Sequence, residues 1–375
     1  MHNMNKDKHS DKKQYPESTY MSKNSKAIRI LGLGYRELKF FIILSWIIKY
    51  CITHHINPKA ASRLNPGIPR GGKGLASKNY TNTYLTLKNP TAKKYLAKYT
   101  FIPANKSYSE MKDEFKKFKN KPVVLKPDQG ARSIGVIITT TDSERMKLFN
   151  VRKNMNYIAQ EYVDYQHELG VFYYRYPSWK KGKILGIAEK IFRIISGDGK
   201  NSLQELLKDI KLTKAIQTQM EFKYHSLKYI PPSDEKIMLT NTVDHYDEGE
   251  YYDRSDLITR DVEKVFNKII GDKKFYFCRF DIRAKNLKDF SKGKNFKILE
   301  LNTGPNVVLL HAFDPRYTKK KQLQIYFKGF THAFKIAEKS KSTEKENMIS
   351  YLWFLMKDEI PLFFLKNRIK HINKN

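Results

Sequence analysis

The segments FYFCRFDIRAKN (275–286) and NFKILELNTGPN (295–306) have the aromatic and β-branched character of strands, and a charged turn separates them. Side chains alternate along a strand, so Glu300 and Asn302 share one face, as do Arg279 and Asp281. If the two strands are antiparallel neighbours, Asp281 faces the same space as Glu300. Two carboxylates and an amide oxygen suit a Mg²⁺ ion that bridges the phosphates of a nucleotide. Each carboxylate taken alone is also compatible with a solvated charge at a strand end.

A second informative stretch lies upstream of these strands. PVVLK (122–126) predicts a short strand, DQGARSIG (128–135) a loop and VIITTT (136–141) another strand. The loop is rich in backbone N–H donors, and its two glycines permit tight geometry. Lys126 ends the first strand and points toward whatever the loop covers. NYIAQEYV (156–163) predicts a further strand.

Between these motifs the sequence predicts simpler elements. KGKILGIAEKIFRII (181–195) is interpreted as a hairpin, and Ser202 with Glu205 forms a capping box that starts a helix. Residues 57–78 contain three prolines and four glycines, which predicts a long connection. Residues 89–100 have helical spacing.

Taken in order, KPDQGARSIGV, QEYVDYQHE and RFDIR followed by ILELNTGPN resemble the ATP-grasp superfamily, which includes D-alanine–D-alanine ligase, glutathione synthetase and cyanophycin synthetase. KPxxGxxSxG is similar to the phosphate-covering loop, and RxD followed by ExN is similar to the magnesium-binding strands. NPGIPRGG, HELGVFYYR, GDGKNSLQELL and HAFDPRY also resemble a bacterial group of D-alanine–D-alanine ligase-like proteins. The resemblance implies an α+β fold, in which two α+β lobes sandwich the nucleotide, with an extra N-terminal region.

The resemblance also implies roles for individual residues. Those expected to bind the nucleotide are Lys88, Lys126, Gly130, Ser133, Gly135, Gln160, Glu161, Tyr162, Val163, Glu168 and Lys190. Among them, Gln160 through Val163 correspond to the hinge that pairs with adenine, and Glu168 to a ribose-binding acid. Lys88 is the candidate for the phosphate lysine of the small lobe, with Lys93 and Lys94 as alternatives. Lys190 would be a third phosphate lysine.

For the metal and the chemistry, the resemblance points back to the two strands. Asp281, Glu300 and Asn302 would hold one or two Mg²⁺ ions, with Mn²⁺ as another suitable ion. Arg279 and Lys126 would be catalytic, and Arg279 lies where the family stabilises an acyl phosphate or a tetrahedral species. A carboxylate is a poor electrophile, and phosphoryl transfer from ATP converts it to an acyl phosphate that an amine can attack.

The sequence therefore predicts an ADP-forming, ATP-dependent ligase that joins a carboxylate to an amine, with small-molecule or lipid-linked substrates. Two alternatives stay open. One is a non-enzymatic basic protein that binds a membrane or nucleic acid and retains the fold, and the other is an ATP-grasp phosphotransferase. Arg175, His167 and the NTGPN loop are candidates for holding a substrate carboxylate, and Arg175 could equally brace the structure. His311 is either a packed histidine or a catalytic acid or base.

Composition bounds these alternatives. The 375 residues include 71 Lys+Arg and 38 Asp+Glu, for a formal charge of +33, and 40% hydrophobic residues exclude disorder of the whole chain. The excess of lysine has two alternative explanations. One is an AT-rich genome, whose codons favour lysine, and the other is an anionic partner. No RNA-binding signature is apparent, so no specific nucleic acid is expected. The two cysteines, Cys51 and Cys278, form no disulfide framework and fit a cytoplasmic location.

The first 26 residues are polar, and two short apolar segments lie toward the two ends of the chain. The apolar segments 38–52 and 349–365 are too short or too charged to cross a bilayer, so they either pack on the body or lie peripherally at an anionic inner membrane face. The predicted organisation is a disordered basic arm (1–26), a helical and loop region (27–87), a small lobe with the phosphate loop (88–158), a metal-binding lobe (159–338), and a linker with a hydrophobic helix (339–375).

Overall fold

A computed structural model of the chain describes most of its central residues. The described residues are 42, 45, 46, 48–55, 63–72, 76–119, 121–130, 135–151, 155–192, 194–208, 226–238, 249–304 and 309–340. The arm 1–26, Ser133 and the apolar segment 349–365 lie outside them, so the predictions for these parts stay predictions. Within the described ranges, no helix is both long enough and apolar enough to span a membrane.

The chain divides into two compact units, Met1–Ile48 and Lys49–Asn375. In the first unit, the few described residues are helical. In the second, Tyr50 lies at the end of the apolar segment 38–52, and its ring centroid is 5.8 Å from that of Phe334. Tyr50 is buried. This residue therefore packs on the body of its own unit.

Among the described residues, strands of the second unit form three sheets. In chain order they are β1 (Tyr99–Ile102), β2 (Val123–Pro127), β3 (Ile137–Thr139), β4 (Tyr157–Glu161), β5 (His167–Tyr174), β6 (Lys183–Phe192), β7 (Ile194–Ser196), β8 (Lys236–Met238), β9 (Gly249–Asp253), β10 (Phe277–Ala284) and β11 (Phe296–Thr303). A four-stranded sheet has the order β1-β4-β2-β3, and a five-stranded sheet the order β11-β10-β5-β6-β9. β7 and β8 form the third. All pairings between these strands are antiparallel.

Helices connect and cover the sheets. They are α1 (Lys78–Thr86), α2 (Pro90–Tyr95), α3 (Tyr108–Phe115), α4 (Asp142–Val151), α5 (Leu203–Leu206), α6 (Arg260–Ile270), α7 (Leu287–Phe290) and α8 (Lys319–Lys339). Short 3₁₀ turns lie at Pro69–Gly72, Lys116–Phe118, Ser255–Leu257 and Leu310–Phe313. The helix predicted over 89–100 ends early because the chain from Tyr99 pairs with β4.

The five-stranded sheet has two chemically different faces, and β10 shows why. Cys278, Phe280 and Ile282 are buried in one core with Val262 and Phe266 of α6. The alternate residues Arg279, Asp281 and Arg283 must then point to the opposite face. A strand with this alternation is held in register, because a one-residue slip would bury the charges in the apolar core. The apolar face is therefore the core, and the charged face is free to carry a site.

The segment 181–195 is not a hairpin, and that prediction is wrong. Residues 183–192 form one strand, β6, which pairs with β5 on one side and β9 on the other. Gly186 lies within this strand, at a position where a Cβ would be 2.5 Å from Nε2 of His311. Close packing by a neighbour, not a chain reversal, is the reason for this glycine. The capping box of Ser202 and Glu205 is confirmed at the start of α5.

The two larger sheets have separate cores. In the small one, Phe115, Val123, Leu125 and Tyr157 belong to a buried cluster. Leu85 of α1 and Ala92 of α2 instead belong to the core of the five-stranded sheet. The small sheet includes all of β4, so the boundary predicted between residues 158 and 159 falls inside a strand.

Candidate functional site

The charged face of the five-stranded sheet brings four predicted residues together. β10 and β11 are antiparallel neighbours, which is the condition under which Asp281 was expected to face Glu300, and Asp281 lies opposite Glu300 and Arg279 opposite Asn302. Arg279 binds Asp281 with two hydrogen bonds, Nε to Oδ1 at 2.5 Å and Nη2 to Oδ2 at 2.9 Å. The Nδ2 of Asn302 donates to Oδ2 of Asp281 at 2.7 Å. The side chains of Asp281 and Glu300 are 26% and 28% exposed, so a ligand can reach both carboxylates.

A lysine that sequence reasoning missed completes this cluster. Lys78 is the first residue of α1, and its Nζ lies 3.4 Å from Oε1 of Glu300 and donates to the carbonyl of Gly130 at 2.9 Å. The backbone N–H of Lys78 donates to the carbonyl of Asp128 at 3.0 Å. The start of α1 therefore contacts both the predicted phosphate loop and Glu300 on β11. The signal that could have found it is Ser77, an N-cap residue directly before a lysine.

Lys126 links the two larger sheets. Its Nζ donates to the carbonyl of Leu299 on β11 at 3.0 Å, and Nε2 of Gln160 donates to the same oxygen at 3.1 Å. Lys126 is only 7% exposed. Burial lowers the pKa of Lys126 to about 8, although the nearby Glu300 carboxylate favours the charged form.

The carboxylates of the cluster are held in different electrostatic environments. Burial raises the pKa of Asp281, and the Arg279 guanidinium only partly offsets that rise. Burial also acts to raise the pKa of Glu300, but Lys78 and Lys126 outweigh it and the net shift is downward. Glu300 is thus the more readily ionised of the two carboxylates.

A second charged group lies further along the same face. Glu168 is paired with Arg283 on one neighbouring strand and with Lys190 on the other. The Nζ of Lys190 is 3.5 Å from Oε1 of Glu168, and Nη2 of Arg283 is 3.4 Å from Oε2. Nη1 of Arg283 donates to the carbonyl of Val163 at 3.0 Å, and its guanidinium lies 5.7 Å from the ring centroid of Tyr162. Arg283 therefore joins the predicted hinge to Glu168.

Two other predicted residues lie near the hinge and the loop. Glu161 ends β4, and its Oε1 accepts a hydrogen bond from the backbone N–H of Lys98 at 2.8 Å. Its side chain is thus used to hold the start of β1. Gly135 has a φ of 76°, a backbone conformation that favours glycine. The phosphate loop is described at Asp128–Gly130 and at Gly135 only.

The structure does not bring Lys88 into the cluster. Lys88 is exposed and follows the last turn of α1, whereas Lys78 begins that helix. With a rise of about 1.5 Å per residue, the two lysines are on the order of 15 Å apart along the helix. Lys93 and Lys94 are exposed on α2. Lys78, which the sequence analysis did not consider, takes the place expected of these three lysines beside Glu300.

Arg175 braces the fold, which was one of its two interpretations. Its Nη1 donates to the carbonyl of Gly271 at 2.8 Å, and its Nη2 donates to the carbonyl of Lys273. His167 lies 2.6 Å, through Nδ1, from Oε1 of Glu189. Both side chains are thus engaged with protein groups.

His311 is packed beneath the sheet surface. It is only 4% exposed, and its ring centroid lies 5.0 Å from that of Phe172. Burial lowers the pKa of His311 to about 4, so the imidazole is neutral at pH 7.

The segment 57–78 is anchored beside the metal strands where it is described. Oδ1 of Asn65 accepts from the backbone N–H groups of Tyr276 and Phe277 at 2.8 and 2.9 Å. Gly72 packs so closely on the end of β11 that a Cβ there would be 2.9 Å from the backbone nitrogen of Gly304. The described part of this connection therefore packs against the start of β10 and the end of β11, next to the metal candidate Asn302.

The donor set fits a hard divalent cation. Two carboxylates from adjacent strands and one amide can supply oxygens, and Mg²⁺ commonly takes its remaining ligands from phosphates and water. The amide oxygen and nitrogen of Asn302 exchange places by rotation about its last torsion, so the same side chain can present its oxygen. Among the described residues, no three His, Cys, Asp or Glu side chains converge as a metal cluster. A metal held by these side chains would take its remaining ligands from phosphate oxygens and water.

Comparisons with known proteins agree with this architecture. Residues 74–165, which include Lys78, Lys126 and the hinge, match the model of the tubulin-tyrosine ligase family. The glutathione biosynthesis bifunctional protein GshAB of Clostridium perfringens is 23% identical over 247 residues, which is 59% of this chain and 30% of that protein. The chain thus spans less than a third of this curated relative.

Solved structures of similar fold include two ligases. The D-alanine–D-alanine ligase of Bacillus anthracis superposes with a TM-score of 0.40 and 15% identity, covering 72% of this chain and 71% of that one. The VanG D-Ala:D-Ser ligase of Enterococcus faecalis has a TM-score of 0.41 and 13% identity, covering 72% and 63%. The chain is thus similar to a protein of glutathione biosynthesis and to structures of amino-acid ligases, in line with the resemblance to the ATP-grasp superfamily that its sequence motifs predicted.

Proposed function

We propose that this protein is a Mg²⁺-dependent ligase that uses ATP to join a carboxylate to an amine and releases ADP. The observation that carries the proposal is the convergence of Asp281 and Glu300 with Lys78 and Lys126. Anionic metal ligands and buried cations within one cluster are what a metal-bound polyphosphate requires. A solvated charge at a strand end would not need buried lysines beside it.

In this proposal Asp281, Glu300 and Asn302 hold Mg²⁺, which neutralises phosphate charge and orients the transferred group. Lys78 and Lys126 bind phosphate oxygens below the glycine loop. Lysine suits this task because its ammonium is a compact point charge that can follow a moving phosphate.

At the other end of the nucleotide, the hinge residues would pair with adenine through their backbone. Glu168 would accept hydrogen bonds from the ribose hydroxyls, and it lies between the side chains of Lys190 and Arg283. Lys190 is 9% exposed and 3.5 Å from that carboxylate. Its role as a third phosphate lysine therefore requires its Nζ to turn from Glu168 to the phosphates.

The reaction follows from the charges. The substrate carboxylate attacks the γ-phosphorus, the bond to the bridging oxygen breaks, and ADP leaves with that electron pair. The amine then attacks the acyl carbon, phosphate leaves, and the amine loses a proton. Arg279 is held beside the metal ligands by Asp281 and would stabilise the negative oxygen that develops at the acyl carbon.

Binding of MgATP provides the first test. We expect calorimetry to show binding by the wild-type chain, a loss of about tenfold or more in Glu300→Ala, and little change in Glu338→Ala. Glu338 is an exposed carboxylate on α8, so it controls for the change of charge. A folded wild-type protein that binds no MgATP would overturn the nucleotide assignment.

Product release then separates the ligase from its alternatives. A ligase releases ADP only when both a carboxylate and an amine are supplied, so panels of each are screened together and separately. ADP release that needs no amine would favour a phosphotransferase. Steeply salt-dependent binding of membranes or nucleic acid, indifferent to MgATP, would favour a basic binding protein. We place the ligase and its small-molecule substrates in the cytoplasm.

A further inference from the structure

A basic groove lies between α2, α6 and the turn that leads into β11. Its volume is about 680 Å³. The lysines that line it are Lys94, Lys264, Lys268, Lys292, Lys294 and Lys297. Asp261 is the one carboxylate among the lining residues, so the groove carries an excess of five positive charges.

This excess is concentrated beyond what composition explains. The whole chain has 71 basic and 38 acidic residues, a ratio of about two to one, whereas the groove has six to one. Lys264 and Lys268 are one turn apart on α6, a spacing at which like charges destabilise a helix. Where the chain is described, Nζ of Lys297 donates to the carbonyl of Lys94 at 2.9 Å, and none of the six ammonium groups pairs with a carboxylate. No ion pair therefore offsets this repulsion directly, although Asp289 attracts Lys292 and Lys294.

Packing and hydrogen bonds hold the backbone around the groove in place. The rings of Tyr95 and Phe296 stack with centroids 4.4 Å apart, and the Tyr95 hydroxyl donates to the carbonyl of Gly293 at 2.9 Å. Gly293 has a φ of 68°, and a Cβ there would be 3.0 Å from the carbonyl oxygen of Asp261. The lysine-bearing turn is thus seated against both neighbouring helices, and the positions of its backbone are fixed.

The groove is separate from the candidate nucleotide site. It is lined by α6, which packs on the apolar face of the five-stranded sheet. Lys297 shares the charged face with its partner Arg283, but it lies at the start of β11, whereas Glu300 and Asn302 lie toward the end of that strand, and none of the candidate site residues lines the groove. The proposed ligase chemistry therefore uses none of these lysines.

We propose that the groove binds a soluble polyanion with several phosphate groups. A phosphate group carries about −1.5 to −2 charges near neutral pH, so two or three of them would match the excess of five. The concave shape favours a molecule that enters the groove, since a flat bilayer would meet only the lysines at its rim. Flexible ammonium groups adapt to a phosphate chain without requiring one fixed geometry.

Site-resolved lysine acetylation tests the proposal with inorganic tripolyphosphate as the probe. Acetylation of each lysine is followed by mass spectrometry, with sodium chloride at the same ionic strength as the reference. We expect tripolyphosphate to slow the acetylation of Lys264, Lys268 and Lys292 by about threefold or more, and to leave the exposed Lys180 and Lys181 unchanged. Equal slowing at all five lysines, or none, would overturn the proposal. Protection at Lys78 and Lys126 is scored separately, so the test does not depend on the proposed function.

Matched variants supply a second test. Lys264→Gln with Lys268→Gln should weaken tripolyphosphate binding about tenfold, whereas Lys180→Gln with Lys181→Gln, the same change of charge, should alter it less than about twofold. Both titrations use the Lys126→Gln background to remove phosphate binding at the nucleotide site. Equal weakening by the two pairs would mean that tripolyphosphate binding depends on net charge in general and not on the groove, which would overturn the proposal. Protection of the groove lysines by phosphatidylserine vesicles, but not by tripolyphosphate, would overturn the soluble ligand in favour of a membrane surface.

Discussion

At the scale of single residues, Lys78 and Lys88 form a matched pair that bracket one helix. Lys78 contacts Glu300 and Gly130, whereas Lys88 is exposed. A charge-assisted hydrogen bond is worth about 1.5–3 kcal/mol, so Lys78→Gln should weaken MgATP binding about tenfold or more. Lys88→Gln should bind within about twofold of wild type. Calorimetry on both variants checks this, and a larger loss in Lys88→Gln would restore the original sequence prediction.

His311 should make stability depend on pH. Burial lowers its pKa to about 4, below its value of 6.5 in the unfolded chain. The unfolded state therefore binds the proton first, and this stability is complete above pH 6.5 and is lost as the pH falls toward 4. The loss is up to about 3 kcal/mol.

Urea unfolding at pH 7 and pH 5 measures this effect. The wild type loses more stability between the two values than His311→Gln does, since carboxylates contribute equally in both. Identical pH dependences would show that the imidazole is not buried as the structure has it.

At the scale of elements, the contact between the 3₁₀ turn Pro69–Gly72 and the end of β11 shapes the site. Gly72 has a φ of 83°, and a Cβ there would be 2.5 Å from Oγ1 of Thr303. Gly199 has a similar φ of 72°, but its nearest atom would be 3.4 Å away. The two glycines therefore share backbone strain and differ in crowding.

Substitution by alanine separates these two effects. Gly199→Ala should lower the free energy of unfolding by about 1 kcal/mol, from strain alone. Gly72→Ala should cost about 1–3 kcal/mol more, because the strand end must move. It should also weaken MgATP binding, since Thr303 follows the metal candidate Asn302. Unfolding and calorimetry on both variants measure this, and equal costs would contradict the close packing.

At the scale of the whole molecule, polar contacts join the two larger sheets at the site. Lys126 and Gln160 of the small sheet both donate to the carbonyl of Leu299 on β11. A ligand between the sheets binds the folded chain only, so MgATP at 100 times its dissociation constant should add about 2.7 kcal/mol. Thermal unfolding should show a higher midpoint with MgATP than with ATP and a chelator. A rise of the same size in Glu300→Ala would mean that the nucleotide lies elsewhere.

The local sequence was sufficient for the elements whose pattern is carried by adjacent residues. The alternation of Arg279, Phe280 and Asp281 predicted both the strand and its charged face, because period-two burial leaves little freedom of register. The capping box of Ser202 was also predicted from the sequence, since its partner Glu205 lies three residues away. The single strand over 183–192 was not predicted, because its pairing with β5 and β9 depends on residues far from it in the chain.

The sequence by itself determined the fold class and the identity of the metal candidates. It also determined the order of the motifs, which is the phosphate loop, the hinge and then the two strands that carry the metal candidates. Tertiary structure alone decided which lysine approaches Glu300, because Lys78 and Lys88 are equivalent in charge and differ only in which end of α1 meets the phosphate loop. It also decided that Arg175 braces backbone carbonyls and that six dispersed lysines share one groove. Motifs record the chemistry of neighbouring residues, whereas convergence of distant side chains depends on how sheets and helices pack.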